Sequence, residues 1–299
     1  MRASFAVLAL AALTAACGST ADHSERSAPS PGSLEALWRH SGQSVLLIPG
    51  KSDYSPGKLR ISFLVVDARG RIVAPPTAHV WIARARGEKP FEEVSARLER
   101  VGVPGVSDHD VKALYVVHLS VPTPGTYYVL ARPIGGVRIG GLRELLVKSH
   151  SASPSVGARA YPSRTPTLAS TGGKLAQLTK RVPPDRELLR YSVADSFAAH
   201  VPFVVTFATP RYCTSRTCGP VVDVVDRVRR RFSGSDIRFI HVEIYEGNDP
   251  RNGENRWVRQ WHLPSEPWTF LVGRDGRIKA KFEGSMSVRE LAQAVALLR

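Results

Sequence analysis

Residues 202–222 read PFVVTFATPRYCTSRTCGPVV, and this stretch limits the fold more than any other. Phe203 to Phe207 is a continuous apolar run of strand length, the form taken by a strand buried on both faces. A Pro-containing turn follows, then two cysteines separated by four residues, then Gly219-Pro220 at a helix start. Val221, Val225, Val228 and Phe232 recur at helical spacing, with Arg227 and Arg229 to Arg231 complementing the C-terminal dipole. The order strand, thiols, helix puts sulfur at a helix N-terminus, where unpaired N–H groups and the dipole favour a thiolate.

The N-terminus bears on what those thiols meet. Met1-Arg2 is a short positive region, and the apolar run from Phe5 to Ala16 is too short to span a bilayer. Leu13-Thr14-Ala15-Ala16-Cys17-Gly18 resembles the lipobox of bacterial lipoproteins, with Thr14 standing where Leu is usual; a plain secretory cleavage site is the other reading. The resemblance implies a signal peptide over 1–16, lipidation at Cys17, and a protein held at the outer face of the cytoplasmic membrane or in the periplasm. Cys213 and Cys218 are then the only thiols of the mature chain, in a compartment that oxidises a close pair. They are expected to bond to each other, to cycle, or to hold a metal.

With 41 Lys and Arg against 26 Asp and Glu, the chain carries a formal charge of +15. That balance suits an anionic lipid or a cell-wall polymer, and export argues against nucleic acid. Residues 17–32 are polar, small and Pro-rich, a tether. Across residues 33–150 the strand signals are 44–48, 59–67, 78–85, 111–120, 126–134 and 142–147, separated by Gly and Pro turns. These predict an all-β sandwich, and VPTPGTYYV resembles the late hairpin of immunoglobulin-like modules. His79, His109 and His118 lack ligand spacing, so the role expected of this part is binding or spacing. Residues 151–184 read as a basic Ser/Pro/Gly-rich linker.

Over 185–299 the order is strand, helix, strand (237–245), a polar loop with a short helix at NRWVRQW, a hairpin about Arg274-Asp275-Gly276, and a last helix. Ser287 and Glu290 form a capping box there, with an apolar stripe of Val288, Leu291, Val295 and Leu298. With FATPRYC…CGP at the first turn, Glu266-Pro267-Trp268-Thr269-Phe270 and FLVGRDGRI, this part resembles the thioredoxin-like domains of membrane-anchored proteins. The resemblance implies an α/β thioredoxin-like fold, a cis-proline loop at Glu266 and Pro267, and thiol–disulfide exchange with extracytoplasmic protein thiols or disulfides, without a cofactor.

Two departures stand against the family pattern. The spacing is Cys-x4-Cys, so either Cys213 attacks and Cys218 resolves, or Cys218-Gly219-Pro220 takes the family's attacking position and Cys213 resolves from outside. Thr206 stands where an acidic proton acceptor is usual, which passes that role to Glu266. Two other functions remain open. One is a redox-inert binding lipoprotein whose Cys213–Cys218 disulfide is structural. The other is a Sco-like copper chaperone, with His241 or His262 completing a soft thiolate site.

Overall fold

The computed structural model describes residues 28–107, 111–135, 138–212 and 218–299, with Cys218 and Gly219 described by backbone alone. The signal peptide, Cys17 and most of the tether lie outside these residues, as do Asp108-His109-Asp110.

The chain opens with helix α1 (Leu34–Arg39), capped by the Ser33 hydroxyl, which accepts from the Ala36 N–H. Eight strands follow: β1 (Gln43–Ser44), β2 (Leu46–Pro49), β3 (Gly57–Val66), β4 (Thr77–Ala83), β5 (Glu92–Arg100), β6 (Ala113–Val121), β7 (Gly125–Pro133) and β8 (Ile139–Val147). Alternation along β3 sends Leu59, Ile61, Phe63 and Val65 to one core, where they meet Val80, Ile82, Val117, Leu119, Tyr127 and Val129. On the outer face α1 lays Leu34 against Trp81, Ala83 and Leu130.

The two-sheet immunoglobulin-like sandwich expected for 33–150 is corrected by the pairing. All eight strands belong to one sheet in the order β1-β8-β7-β4-β5-β6-β3-β2. The reason is β5, EEVSARLER, which carried no recognised strand signal because charges occupy most of its positions. It pairs with β4 on one side and β6 on the other, fusing what would be two sheets into one. The sheet then curls until β2 approaches β8, where the Arg143 guanidinium donates to the Leu47 carbonyl at 3.2 Å across the seam.

Beyond β8 the chain forms α2 (Val193–Ala198), β9 (Phe203–Phe207), α3 (Cys218–Arg231), β10 (Arg238–Val242), α4 (Arg256–Gln260), β11 (Trp268–Val272), β12 (Ile278–Glu283) and α5 (Val288–Ala296). The four strands make a second sheet in the order β10-β9-β11-β12, parallel between β9 and β10 and antiparallel elsewhere. The apolar run of β9 is divided between two cores. Val204 faces α3 and α5 with Val221, Val225, Val228, Leu291 and Val295, whereas Phe203, Val205 and Phe207 face Trp261, Trp268 and Phe270. Those rings sit in mutual contact, with Trp261 4.8 Å from Phe270 and 5.2 Å from Phe207 between centroids.

The α/β thioredoxin-like assignment is also corrected. The described residues are mostly β, dominated by the nearly closed eight-stranded sheet, and contain five α-helices, of which α3 is the longest at 14 residues. On the Trp261 face the second sheet is covered by short helices and by irregular chain from 158 onward. That chain is the segment expected as a linker. It lies along the sheet, with the Ala160 N–H donating to the Gly276 carbonyl at 2.9 Å and Trp261 Nε1–H to Ser163 Oγ at 2.9 Å. Ser, Pro and Gly suit it to this place, because they favour extended backbone and turns over helix.

The two sheets meet through polar contacts. Arg60 on β3 pairs with Glu290 on α5, Arg289 pairs with Glu99, and Glu283 on β12 accepts from the backbone N–H groups of Ser52 and Asp53 at 2.9 Å each. Asp53 in turn accepts from the Ala152 N–H at 3.0 Å and from the Ser151 hydroxyl, and Lys281 donates to Ser151 and Ser153.

Candidate functional site

Register places the sequence-marked residues at one end of the second sheet, where its two central strands β9 and β11 meet the loops. Trp268 stands opposite Phe207, so Pro267 lies beside Ala208 where β9 leaves the sheet. The chain continues through buried Thr209, half-buried Pro210 and exposed Arg211 toward Cys213, and returns as α3, whose first residue is Cys218. No acidic residue occupies the first turn of α3. Pro220 is buried within that turn, where its missing N–H costs nothing. Cys213 and Arg216 lie outside the described residues, and of Cys218 and Gly219 only backbone is described. The expected Cys213–Cys218 disulfide thus lies outside the described side chains, and no redox centre is found among the described residues.

The Glu266–Pro267 peptide is cis. The turn is held from behind: Gly284 N–H donates to the Pro267 carbonyl at 2.9 Å, Trp268 Nε1–H donates to Ser265 Oγ at 3.1 Å, and Ser265 donates to Glu283 at 2.8 Å. Glu283 also takes the N–H groups of the 52–53 turn, so the proline loop is braced against the first sheet.

Thr206 and Thr269 share a hydrogen bond of 3.0 Å between their hydroxyls, a buried pair that satisfies both without a carboxylate. His241 is buried in β10 with Nε2 3.0 Å from the Ala208 carbonyl. A carbonyl only accepts, so the ring proton is on Nε2. Burial lowers the imidazole pKa further than the nearby Glu243 raises it, which keeps the ring neutral. His262 sits after α4 with φ of 51° and packs edge-on against Tyr161 at 6.2 Å. The two histidines thus have separate structural engagements, and among the described residues no group of three metal-ligating side chains is assembled.

Sequence reasoning missed the residues beyond β10 on the other side of β9. Glu243, buried at the end of β10, accepts from the Lys180 N–H at 2.7 Å and the Thr179 hydroxyl at 3.1 Å, while its Oε2 has no hydrogen-bond partner among the described residues. Arg181 donates to Asp223 of α3 at 2.6 Å and to the Pro183 carbonyl at 2.7 Å. The other oxygen of Asp223 accepts from Ser107, in the loop after β5, at 2.7 Å. The usable signal was Glu243 itself, an acid between the buried Val242 and Ile244 just past β10, where burial demands partners.

These contacts frame a cleft of about 1140 Å³ between α3, the 180–186 segment and the loop after β5. Pro210 and Arg211, which precede Cys213 in the sequence, are among its lining residues.

No protein-family model matches the chain, and no curated protein sequence matches it. A solved structure of a cycloisomaltooligosaccharide glucanotransferase from Paenibacillus sp., complexed with cycloisomaltoheptaose, is similar to part of it. The identity is 18%, the TM-score is 0.24, and the match covers 46% of this chain and 18% of that one. The chain therefore spans less than a fifth of that enzyme's length along the match.

Proposed function

We propose that this protein is exported, held at the membrane by lipid on Cys17, and carries out thiol–disulfide exchange through Cys213 and Cys218. The observation that supports this most is the placement of Cys218 as the first residue of a 14-residue helix, which follows the end of β9 where Pro267 stands beside Ala208. A helix of that length stabilises negative charge at its N-terminus, and the exchange step requires a thiolate. Among the described residues no helix is long and apolar enough to cross a membrane.

In the reaction, one cysteine thiolate attacks a sulfur of the partner's disulfide. The S–S bond breaks, the departing partner thiolate takes a proton, and a mixed disulfide remains. The second cysteine then attacks that bond, closing Cys213–Cys218 and passing two electrons to the partner. The reverse sequence oxidises a partner dithiol. Extended partner backbone lying across the loop at Pro267 would orient the incoming sulfur.

Cys213→Ser and Cys218→Ser variants expressed in cells test this reading. One of them should accumulate mixed disulfides that reducing agent releases. Absence of trapped species from both, together with a reduction potential for the wild-type pair below about −300 mV, would assign the bond to a purely structural role.

A further inference from the structure

The cleft between α3 and the 180–186 segment carries charge that the described residues do not neutralise. Arg227 and Arg231 project from exposed positions on α3, Arg186 and Lys180 line the cleft from the 180–186 segment, and exposed Arg211 lines it as well. None of these five makes an ion pair among the described residues, although ion pairs surround them: Arg181 with Asp223, and both Arg229 and Arg230 with Asp226. The lining acids Asp223 and Asp226 are thus taken, and burial and the neighbouring Asp226 carboxylate raise the Asp185 pKa, so the cleft presents excess positive charge.

The same walls carry exposed apolar surface. Val182 is 88% exposed and Val106 is 56% exposed, with Pro183, Pro184 and Pro210 between them. A phosphate polymer or lipid headgroup offers nothing to cover valine and proline, whereas an acidic polypeptide has carboxylates for the arginines and side chains for the apolar walls. The volume, about 1140 Å³, accommodates several residues of extended chain.

We propose that this cleft docks an acidic, partly apolar polypeptide segment of a partner protein. The segment would leave the cleft past Pro210 and Arg211, which precede Cys213 by two residues in the sequence, so that docking brings partner sulfur toward the cysteine pair. That delivery step rests on the exchange reading; the docking itself does not.

Fluorescence anisotropy of the intact protein with a fluorescein-labelled peptide of alternating Glu and Val tests the proposal. Binding should fall at least tenfold in the double variant Arg227→Glu/Arg231→Glu, and likewise when Gln replaces Glu in the peptide. It should be unchanged in Arg69→Glu, an exposed arginine in the turn after β3 and outside the cleft. Val182→Ser should weaken it severalfold, which a purely electrostatic site would not show. Equal peptide affinity in wild type and the double variant would overturn the proposal. So would a cleft that binds polyphosphate or phosphatidylglycerol vesicles, loses them in the double variant, and ignores the peptide. Binding should persist in Cys213→Ser/Cys218→Ser. If mixed disulfides are trapped in cells and the peptide does not bind, docking alone fails; if the peptide binds and nothing is trapped, the exchange reading alone fails.

Discussion

Arg60 of the eight-stranded sheet and Glu290 of α5 form a two-point ion pair, Nε to Oε1 at 2.7 Å and Nη2 to Oε2 at 3.1 Å. Both side chains are nearly buried, 10% and 8% exposed, and Arg60 also donates to the Ser285 carbonyl at 3.0 Å. The same carboxylate accepts the Ser287 N–H in the capping box of α5, so one residue both starts the helix and ties it to the other sheet. Removing one partner strands the other's charge in a dry setting. Arg60→Met should cost about 3–5 kcal/mol in urea unfolding, and Glu290→Gln less, because an amide oxygen still accepts from Arg60 and Ser287. A loss under about 1 kcal/mol for Arg60→Met would mean that water reaches the junction.

Acid should open the same junction. Burial by itself would raise the Glu290 carboxyl, but the Arg60 hydrogen bonds and charge, with the Ser287 N–H, hold it below the usual carboxylate range. Asp53 is likewise depressed, burial being outweighed by bonds from Ser151, Ala152 and Ser153 and by the Lys281 charge. For a depressed carboxylate, the stabilisation is complete above the unfolded pKa, about 4, and disappears as pH falls through the lower folded value. The urea midpoint should therefore decline steeply below about pH 4. Glu290→Gln and Asp53→Asn should each flatten that decline; a profile that neither alters would place the acid-sensitive contacts elsewhere.

Lys51 gives the opposite slope. Burial first, then the charges of Lys281 and Arg60, outweigh Glu283 and Asp53 and bring its ammonium down to about 8. The unfolded chain still binds that proton up to about pH 10, so between pH 8 and 10 it holds more protons than the folded one. Stability contributed at this site rises with pH over that window. Comparing wild type with Lys51→Met at pH 7.5 and 9.5 isolates the effect: the variant should lose the rise. An identical pH response in both proteins would show Lys51 to be solvated.

How far the sequence reached can be seen strand by strand. Long apolar alternation made β3, β4, β6, β7 and β8 legible, and the two-sided apolar run made β9 legible as a strand with its surfaces buried on both sides. The strand β5 was not, since Glu92, Glu93, Arg97, Glu99 and Arg100 hide its period, and its omission turned one curled sheet into an expected sandwich. Position along the chain also concealed the cleft. Arg181 and Lys180 read as part of a soluble linker until Glu243 and Asp223, some 40 to 60 residues later, supplied buried partners for them. Hydrophobic period reports local structure, whereas a polar contact between distant segments leaves no period to read.

Gly284 connects the junction to the proposed site, and its replacement probes both. It has φ of +73°, a Cβ added there would run into the Gly50 carbonyl, and its N–H bonds the Pro267 carbonyl. Close backbone approach and left-handed geometry therefore act together, and Gly284→Ala should cost about 1–3 kcal/mol or more. Gly234, with open space around its Cβ position and no positive φ, is the control, and its alanine variant should be neutral or slightly stabilising. Because the 284–267 bond braces the proline loop from behind, Gly284→Ala should also slow mixed-disulfide formation under conditions where it remains folded. Unaltered exchange kinetics in a destabilised Gly284→Ala protein would show that the loop keeps its position without the first sheet behind it.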